Sequence, residues 1–361
     1  MKVVVTGTRG IPDILGGVET HCEELFPRIV RKNIDVTIIR RRSYVHDTLK
    51  EYKGIKLVDI NTPKKKYFEA IMHTGKAIWN AKKRRTDIIH IHAIGPALLT
   101  PVARLLGMKV VFTHHGFDYD REKWGKAAKF MLRMGERLGV KYANELIVIS
   151  DVINTKIKRK YHRTDAHLIY NGVPEPAFVN DIDYLQALGV AQQKYIFAMG
   201  RFVPEKNFHQ LIKAFSALNH RGGYKLVLAG DADFEDEYSC KLKKLAHENN
   251  VILTGFIKGE KLHQLLTHAA AFVLPSSHEG LPISLLEAMS YDLPVIVSDI
   301  PANLAIRLPQ DVYFPVGNEE KLAEKLREIM DKKFEKRKYR LDEYQWEHIA
   351  KQTIQVYEHT I

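Results

Sequence analysis

Short apolar runs alternate with longer stretches of helical spacing from one end of the chain to the other. In the first half, runs rich in Val, Ile, Leu and aromatic residues predict strands at 2–6, 35–39, 55–59, 88–91, 109–113, 145–149 and 167–170. Between most of them, apolar positions recurring every three to four residues predict helices, among them 17–32, 67–84, 122–143 and 151–160. Strands apolar on both faces suit a parallel sheet covered by helices on each side. The rhythm pauses at Asn171-Gly172-Val173-Pro174-Glu175-Pro176, where a glycine and two prolines mark a linker. It resumes with predicted strands at 195–199, 224–229, 251–254, 271–274 and 295–298, again with helices between. The last stretch, 341–360, is helical, with Leu341, Tyr344, Trp346, Ile349, Ile354 and Tyr357 among its apolar members. The pattern predicts an α/β chain of two doubly wound halves, whose ligand site is the cleft at the carboxyl ends of both sheets.

Length and composition fit that picture. A chain of 361 residues exceeds what one compact core usually holds, and 45% hydrophobic with 27% charged residues is ordinary for a globular enzyme. The opening run Val3-Val4-Val5 is too short for a secretory core. The longest apolar stretch, 94–112, carries Arg104 and Lys109 and is broken by Pro96 and Pro101, so it is not a membrane span. Cys22 and Cys240 match no metal or redox spacing and are expected to be reduced thiols in a cytoplasmic protein. The net charge of +12 is uneven: residues 1–175 hold 33 Lys/Arg against 18 Asp/Glu, whereas the rest hold 22 against 25. A basic half implies an anionic partner, either nucleic acid or an acidic membrane surface.

The densest candidate chemistry follows the run 271–274. Pro275-Ser276-Ser277 leads into His278-Glu279-Gly280-Leu281-Pro282, and helical spacing continues through Glu287 to Met289. Pro282 suits the first turn of a helix, where its missing N–H would have no helical partner. The amides of Gly280 and Leu281 would then sit at a positive helix end that favours a phosphate. Glu279 would lie just outside that helix and Glu287 one to two turns inside. One carboxylate can thus bind hydroxyls near the phosphate and the other hydroxyls farther along the ligand. An isolated pair of glutamates reads as a helix cap and a solvated side chain; strand, Gly-Leu-Pro turn and helix together favour the ligand site.

Other loops add weaker signals. In Gly200-Arg201-Phe202-Val203-Pro204-Glu205-Lys206-Asn207, a planar fork and a point charge five residues apart can both reach a diphosphate. Alone, this would be a solvated basic loop. Gly7-Thr8-Arg9-Gly10-Ile11-Pro12 and Gly16-Gly17 frame a turn where a ligand can approach the backbone, although the spacing is not the dinucleotide fingerprint. His114 and His115 end another strand, a position where cleft residues belong, and in extended chain they point to opposite sides. At most one therefore enters the cleft. Two Asp-x-Asp triplets, Asp118-Tyr119-Asp120 and Asp231-Ala232-Asp233, have a metal-bridging look. Since Arg201, Lys206 and a helix end already supply positive charge, neither a metal nor another cofactor is expected.

Taken together, Gly16-Gly17, His115, Arg201 with Lys206, and Glu279 with Glu287 at the E-x7-E spacing resemble the family-4 glycosyltransferases, over nearly the whole chain. The run 7–12 and the Asp118…Arg121…Lys123-Trp124 stretch are similar to a bacterial rhamnosyltransferase-like subgroup. The resemblance implies the GT-B fold, two Rossmann-like domains facing a central cleft. These would be an acceptor-side domain, 1–173, rejoined by a helix at about 341–361, and a nucleotide-sugar-binding domain, 174–340. It implies retaining, metal-independent transfer of a hexose or deoxyhexose from a nucleotide-sugar donor to a glycan or lipid-linked glycan of the bacterial envelope. Arg201 and Lys206 would neutralise the donor diphosphate, Glu279 contact the sugar and Glu287 the ribose. Gly16-Gly17 would approach phosphate or sugar, His115 the reacting sugar, and Phe256-Ile257 the base. Asp118, Arg121 and Lys123 are acceptor-side candidates.

The basic first half offers a partner surface. Lys64-Lys65-Lys66-Tyr67-Phe68 opens a helical stretch running through Trp79 to Lys82-Lys83-Arg84-Arg85, and 123–141 is similarly basic. Such helices can lie on anionic lipid headgroups, which suits a lipid-linked acceptor and a peripheral place on the inner face of the plasma membrane. No recognised nucleic-acid motif accompanies the charge, so nucleic acid is disfavoured. Two alternatives remain: a GT-B sugar-nucleotide epimerase, and a catalytically silent GT-B binding subunit.

Overall fold

The computed structural model describes residues 1–63, 69–121, 124–218, 222–331 and 336–361. The chain divides into two compact units, Met1–Gly172 with Glu343–Ile361, and Val173–Asp342.

The first unit is built on β1 (Lys2–Thr6), β2 (Asp35–Arg41), β3 (Glu51–Tyr52), β4 (Ile55–Ile60), β5 (Ile88–His92), β6 (Lys109–His114), β7 (Glu145–Val148) and β8 (His167–Leu168). They form one sheet in the order β3-β4-β2-β1-β5-β6-β7-β8. Every pairing is parallel except β3 with β4, a hairpin turned at Lys53-Gly54, both with positive φ. Val3, Val5, Phe26, Val36 and Ile38 belong to the core that also takes in Trp346 and Ile349 of the last helix. That helix, Trp346–Thr360, packs on Gly17–Val30. The chain crosses it at Gly172, where a Cβ would come within 2.3 Å of the Trp346 ring, so only glycine allows the approach. Arg40, fully buried on β2, donates to Asp59 at 2.7 Å, to Asp47 at 3.0 Å and to the carbonyls of Ile11 and Leu49.

The second unit carries β9 (Tyr195–Met199), β10 (Lys225–Ala229), β11 (Ile252–Leu253), β12 (Ala271–Leu274), β13 (Val295–Ser298) and β14 (Tyr313–Phe314), all parallel, in the order β11-β10-β9-β12-β13-β14. Counted from its own first strand this is the nucleotide-binding order, and it reverses between β9 and β12. The first unit reverses likewise between β1 and β5.

Several boundaries differ from the sequence expectation. The helix expected at 122–143 runs Lys126–Tyr142, capped by Gly125. At the carboxyl end, Asp342–Tyr344 is a separate 3-10 turn, so Leu341 and Tyr344 precede the helix. The strands β3 and β14, two residues each, are too short to register as a period. The helix expected from 67 is described as Glu69–Lys83, and the basic opening Lys64–Lys66 with Tyr67 and Phe68 lies outside the described residues.

Candidate functional site

In the second unit the loops at the carboxyl ends of four neighbouring strands are stitched together. The Gly230 amide donates to the Gly255 carbonyl at 2.8 Å, Phe202 to Asp231 at 2.9 Å, and Ser277 to Glu205 at 2.9 Å. Asn207, in the left-handed region, donates its side-chain amide to the Pro275 carbonyl at 3.1 Å. The loop after β9 and the loop after β12 are thereby held side by side at the reversal of strand order, where α/β sheets bind ligands. Lys206 Nζ donates to Glu279 Oε1 at 2.6 Å, and Arg201 pairs with Asp233 at 3.3 Å. All four side chains keep partial exposure, from 12% to 26%, so each remains reachable from solvent.

One expectation here is corrected. Pro282 is not in the first helical turn: its ψ of 104 is extended, it caps the helix, and the helix runs Ile283–Ser290. The positive helix end is therefore presented by Ile283 and Ser284, and Gly280 and Leu281 lie in the bend before it. Glu279 stands outside the helix and Glu287 at its fifth residue. Phe256, after β11, is 41% exposed, and Ile257 is partly buried beside it in sequence.

In the first unit the reversal between β1 and β5 is lined by histidines. His92 ends β5, and His115 follows β6. His92 Nδ1 and His115 Nε2 are 2.8 Å apart, and their rings stack at 5.1 Å. His21, on the helix Gly17–Val30, meets His115 edge-on at 5.0 Å and bonds through Nδ1 to Asn171 Oδ1 at 3.0 Å. Burial pushes the His21 imidazole down to about 4 and holds His92 and His115 well below the ordinary histidine range, with neighbouring histidines adding to the effect on those two. All three are neutral at pH 7.

His114 goes elsewhere: it bonds the buried Glu136, which also accepts from Tyr119, Tyr161 and Lys160. Burial alone would raise this carboxyl, but those donors bring it down to about 2.

The remaining predicted residues fall as follows. Gly16 has φ 148, and a Cβ there would lie 2.2 Å from Glu19 Oε2, whereas Gly17 opens the helix with nothing within 4 Å of its Cβ position. Asp118 pairs with Arg121 at 2.9 Å, and Lys123 lies outside the described residues. The Asp-x-Asp carboxylates are all in ion pairs: Asp118 on Arg121, Asp120 on Lys156, Asp231 on Lys243 and Asp233 on Arg201.

Sequence reading did not single out Glu19, His21 or His92, and it took Asp233 as part of an Asp-x-Asp triplet rather than as the partner of Arg201. Glu19 takes three donors from Arg9 and one from Thr8, and so shapes the loop after β1. For His92, the alternation His90-Ile91-His92 at a strand's carboxyl end is the signal that would have found it.

Comparisons with known proteins bear on the whole chain. Residues 15–175 match the model for Glycosyltransferase Family 4, and residues 183–347 the model for Glycosyl transferases group 1. An uncharacterized glycosyltransferase of Methanocaldococcus jannaschii is 26% identical, over 99% of this chain and 98% of its own. The UDP-Gal:alpha-D-GlcNAc-diphosphoundecaprenol alpha-1,3-galactosyltransferase of Escherichia coli is 27% identical, over 84% of this chain and 81% of its own. Sucrose-phosphate synthase of Thermosynechococcus elongatus matches in fold with a TM-score of 0.80 at 19% identity, over 99% of this chain and 98% of its own.

Proposed function

Since the chain belongs to the family-4 glycosyltransferases of GT-B fold, we propose that it moves a hexose or deoxyhexose from a nucleotide-sugar donor to a glycan or lipid-linked glycan acceptor in bacterial envelope polysaccharide synthesis, with retention and without a metal. The observation that carries this reading is the pair of stitched loops in the second unit, which puts Arg201, Lys206 and Glu279 at the reversal of strand order. Arg201 and Lys206 take the donor diphosphate, and Glu279 exchanges its bond to Lys206 for the hydroxyls of the sugar. Glu287 takes the ribose hydroxyls, the bend at Gly280 and Leu281 the phosphate, and Phe256-Ile257 the base. In the first unit His115 is assigned to the reacting sugar, Gly16-Gly17 to the phosphate or sugar, and Asp118, Arg121 and Lys123 to the acceptor.

The chemistry follows from charge. The bond between the anomeric carbon and the phosphate oxygen breaks, and negative charge accumulates on the departing nucleoside diphosphate. Preorganised cations at that oxygen stabilise the transition state. The acceptor hydroxyl attacks the same face of the anomeric carbon and passes its proton to the leaving phosphate, which gives retention. The Asp-x-Asp carboxylates, each already paired with a Lys or Arg, are not disposed to bridge a metal.

For the lipid side, the support is an exposed apolar set on packed helices of the first unit. Trp79, on Glu69–Lys83, is 58% exposed, Leu105 is 87% and Phe130, on Lys126–Tyr142, is 65%. Lys83 lies over the Trp79 ring, Arg104 precedes Leu105 and Lys129 precedes Phe130 in sequence, and among the described residues no helix is long and apolar enough to cross a membrane. We assign this face to the surface of an anionic, cytoplasm-facing membrane.

The deciding experiment is a panel of UDP-, GDP- and ADP-sugars, including deoxyhexoses, screened by thermal shift and then by transfer to a polyprenyl-diphosphate-linked glycan with EDTA present. Stabilisation by one donor and transfer that survives chelation is the expected result. Donor turnover with no acceptor would favour an epimerase, and no binding by any donor a silent subunit.

A further inference from the structure

His21, His92 and His115 come from three separate segments of the first unit, yet each brings a ring nitrogen to within 4.8 Å of the other two. We propose that this cluster binds a divalent transition-metal ion, Zn2+ first among them, and that the ion acts as an inhibitor. The donor set selects the class. Three imidazoles suit Zn2+, Co2+, Ni2+ or Cu2+, while Mg2+ and Ca2+ require the oxygen ligands that this set lacks. Tetrahedral zinc at about 2.0–2.1 Å from each nitrogen spaces its ligands roughly 3.3 Å apart. His92 Nδ1 and His115 Nε2, now 2.8 Å apart, need to open by about half an ångström to meet that geometry, and His21, whose ring nitrogen lies within 4.8 Å of the other two, to close by at most about 1.5 Å.

The surroundings are arranged as a metal site's are. The bond from His21 Nδ1 to Asn171 Oδ1 orients that ring and leaves Nε2 to coordinate, the outer-shell arrangement usual for metal-binding histidines. His92 is only half satisfied, because its Nε2 is buried without a hydrogen-bond partner. Coordination goes through Nδ1, which faces His115, and the proton shared between the two rings then moves to the far nitrogen of its own ring, which on His92 is Nε2. The rings are also held in place. His90 stacks on His92 at 4.2 Å, Phe26 meets His92 edge-on at 5.8 Å, and Trp346 meets His21 at 5.5 Å. The inhibitory role rests on the reading that His115 serves the reacting sugar: an ion that holds His115 withdraws it from that sugar.

The test uses the full chain, freed of metal with EDTA and dialysed. Co2+ is titrated by visible absorption and Zn2+ by calorimetry, on wild type and on His21→Ala, His92→Gln and His115→Ala. Circular dichroism checks each fold. His115→Ala is decisive if the fully buried His92 proves intolerant of change. The expected result is one equivalent bound by wild type, with cobalt bands of a nitrogen-liganded tetrahedral site and affinity weakened at least about tenfold in each folded variant. No stoichiometric binding, or equal binding by all variants, would overturn the site. Transfer is assayed separately. Binding without inhibition overturns the inhibitory role and counts against His115 at the sugar, but leaves the metal site standing.

Discussion

Both units reverse their strand order in the same way, and they differ in what stands at the reversal. In the second unit it is ionic: Lys206 on Glu279 and Arg201 on Asp233, on loops joined by backbone bonds and partly open to water. In the first unit it is aromatic and neutral: His21, His92 and His115 packed with Phe26 and Trp346. The contrast follows from desolvation. Charged groups near water keep their charge and can exchange one partner for an anionic ligand, whereas buried imidazoles give up theirs. The same topology thus gives one ionic reversal, which we assign to a diphosphate, and one neutral reversal, which we assign to an uncharged sugar and, in inhibition, to a divalent transition-metal ion.

The largest effect expected from this contrast is on transfer. Arg201→Ala or Lys206→Ala should lower kcat/KM at least about a hundredfold, roughly 3 kcal/mol, with the melting temperature little changed. Near-normal turnover in either variant would break the ionic half of the comparison. In the first unit the large effect is on stability. Arg40→Met leaves Asp47 and Asp59 without their buried cation, and urea unfolding should show a loss of about 3 kcal/mol.

Acid should separate the units further. Burial takes His73 and His90, both in the first unit, down to about 3. As pH falls below about 6.5 the unfolded chain takes up protons that these folded rings refuse, so stability falls until the pH nears 3. Each such ring removes about 1.4 kcal/mol per pH unit within that window. Hydrogen exchange at pH 5 should loosen β1 and β5 before β9 and β12, and the reverse order would contradict the account. The smallest effect is at the surface. Replacing Trp79 and Phe130 by serine should weaken co-sedimentation with anionic vesicles about tenfold, with little change on neutral ones.

What could be read from the sequence depended on distance along the chain. The loop 200–207 and the E-x7-E run are local, so their placement after β9 and β12 follows from strand periodicity. The partners are not local: Asp233 lies 32 residues beyond Arg201, and His21 meets Asn171 across 150. Only the strand order brings such pairs together. The Pro282 boundary was misread because proline tolerates both the first turn and the cap, and its ψ decides which. The short strands β3 and β14 carry too few residues to show any period.

The central claim is that the ionic reversal of the second unit holds the donor diphosphate. Hydrogen exchange with and without saturating nucleoside diphosphate, read by peptide, tests it most directly. The account predicts protection concentrated in peptides spanning 200–207 and 275–287, and lost in Lys206→Ala. Protection confined to the first unit, or unchanged by that substitution, would contradict it.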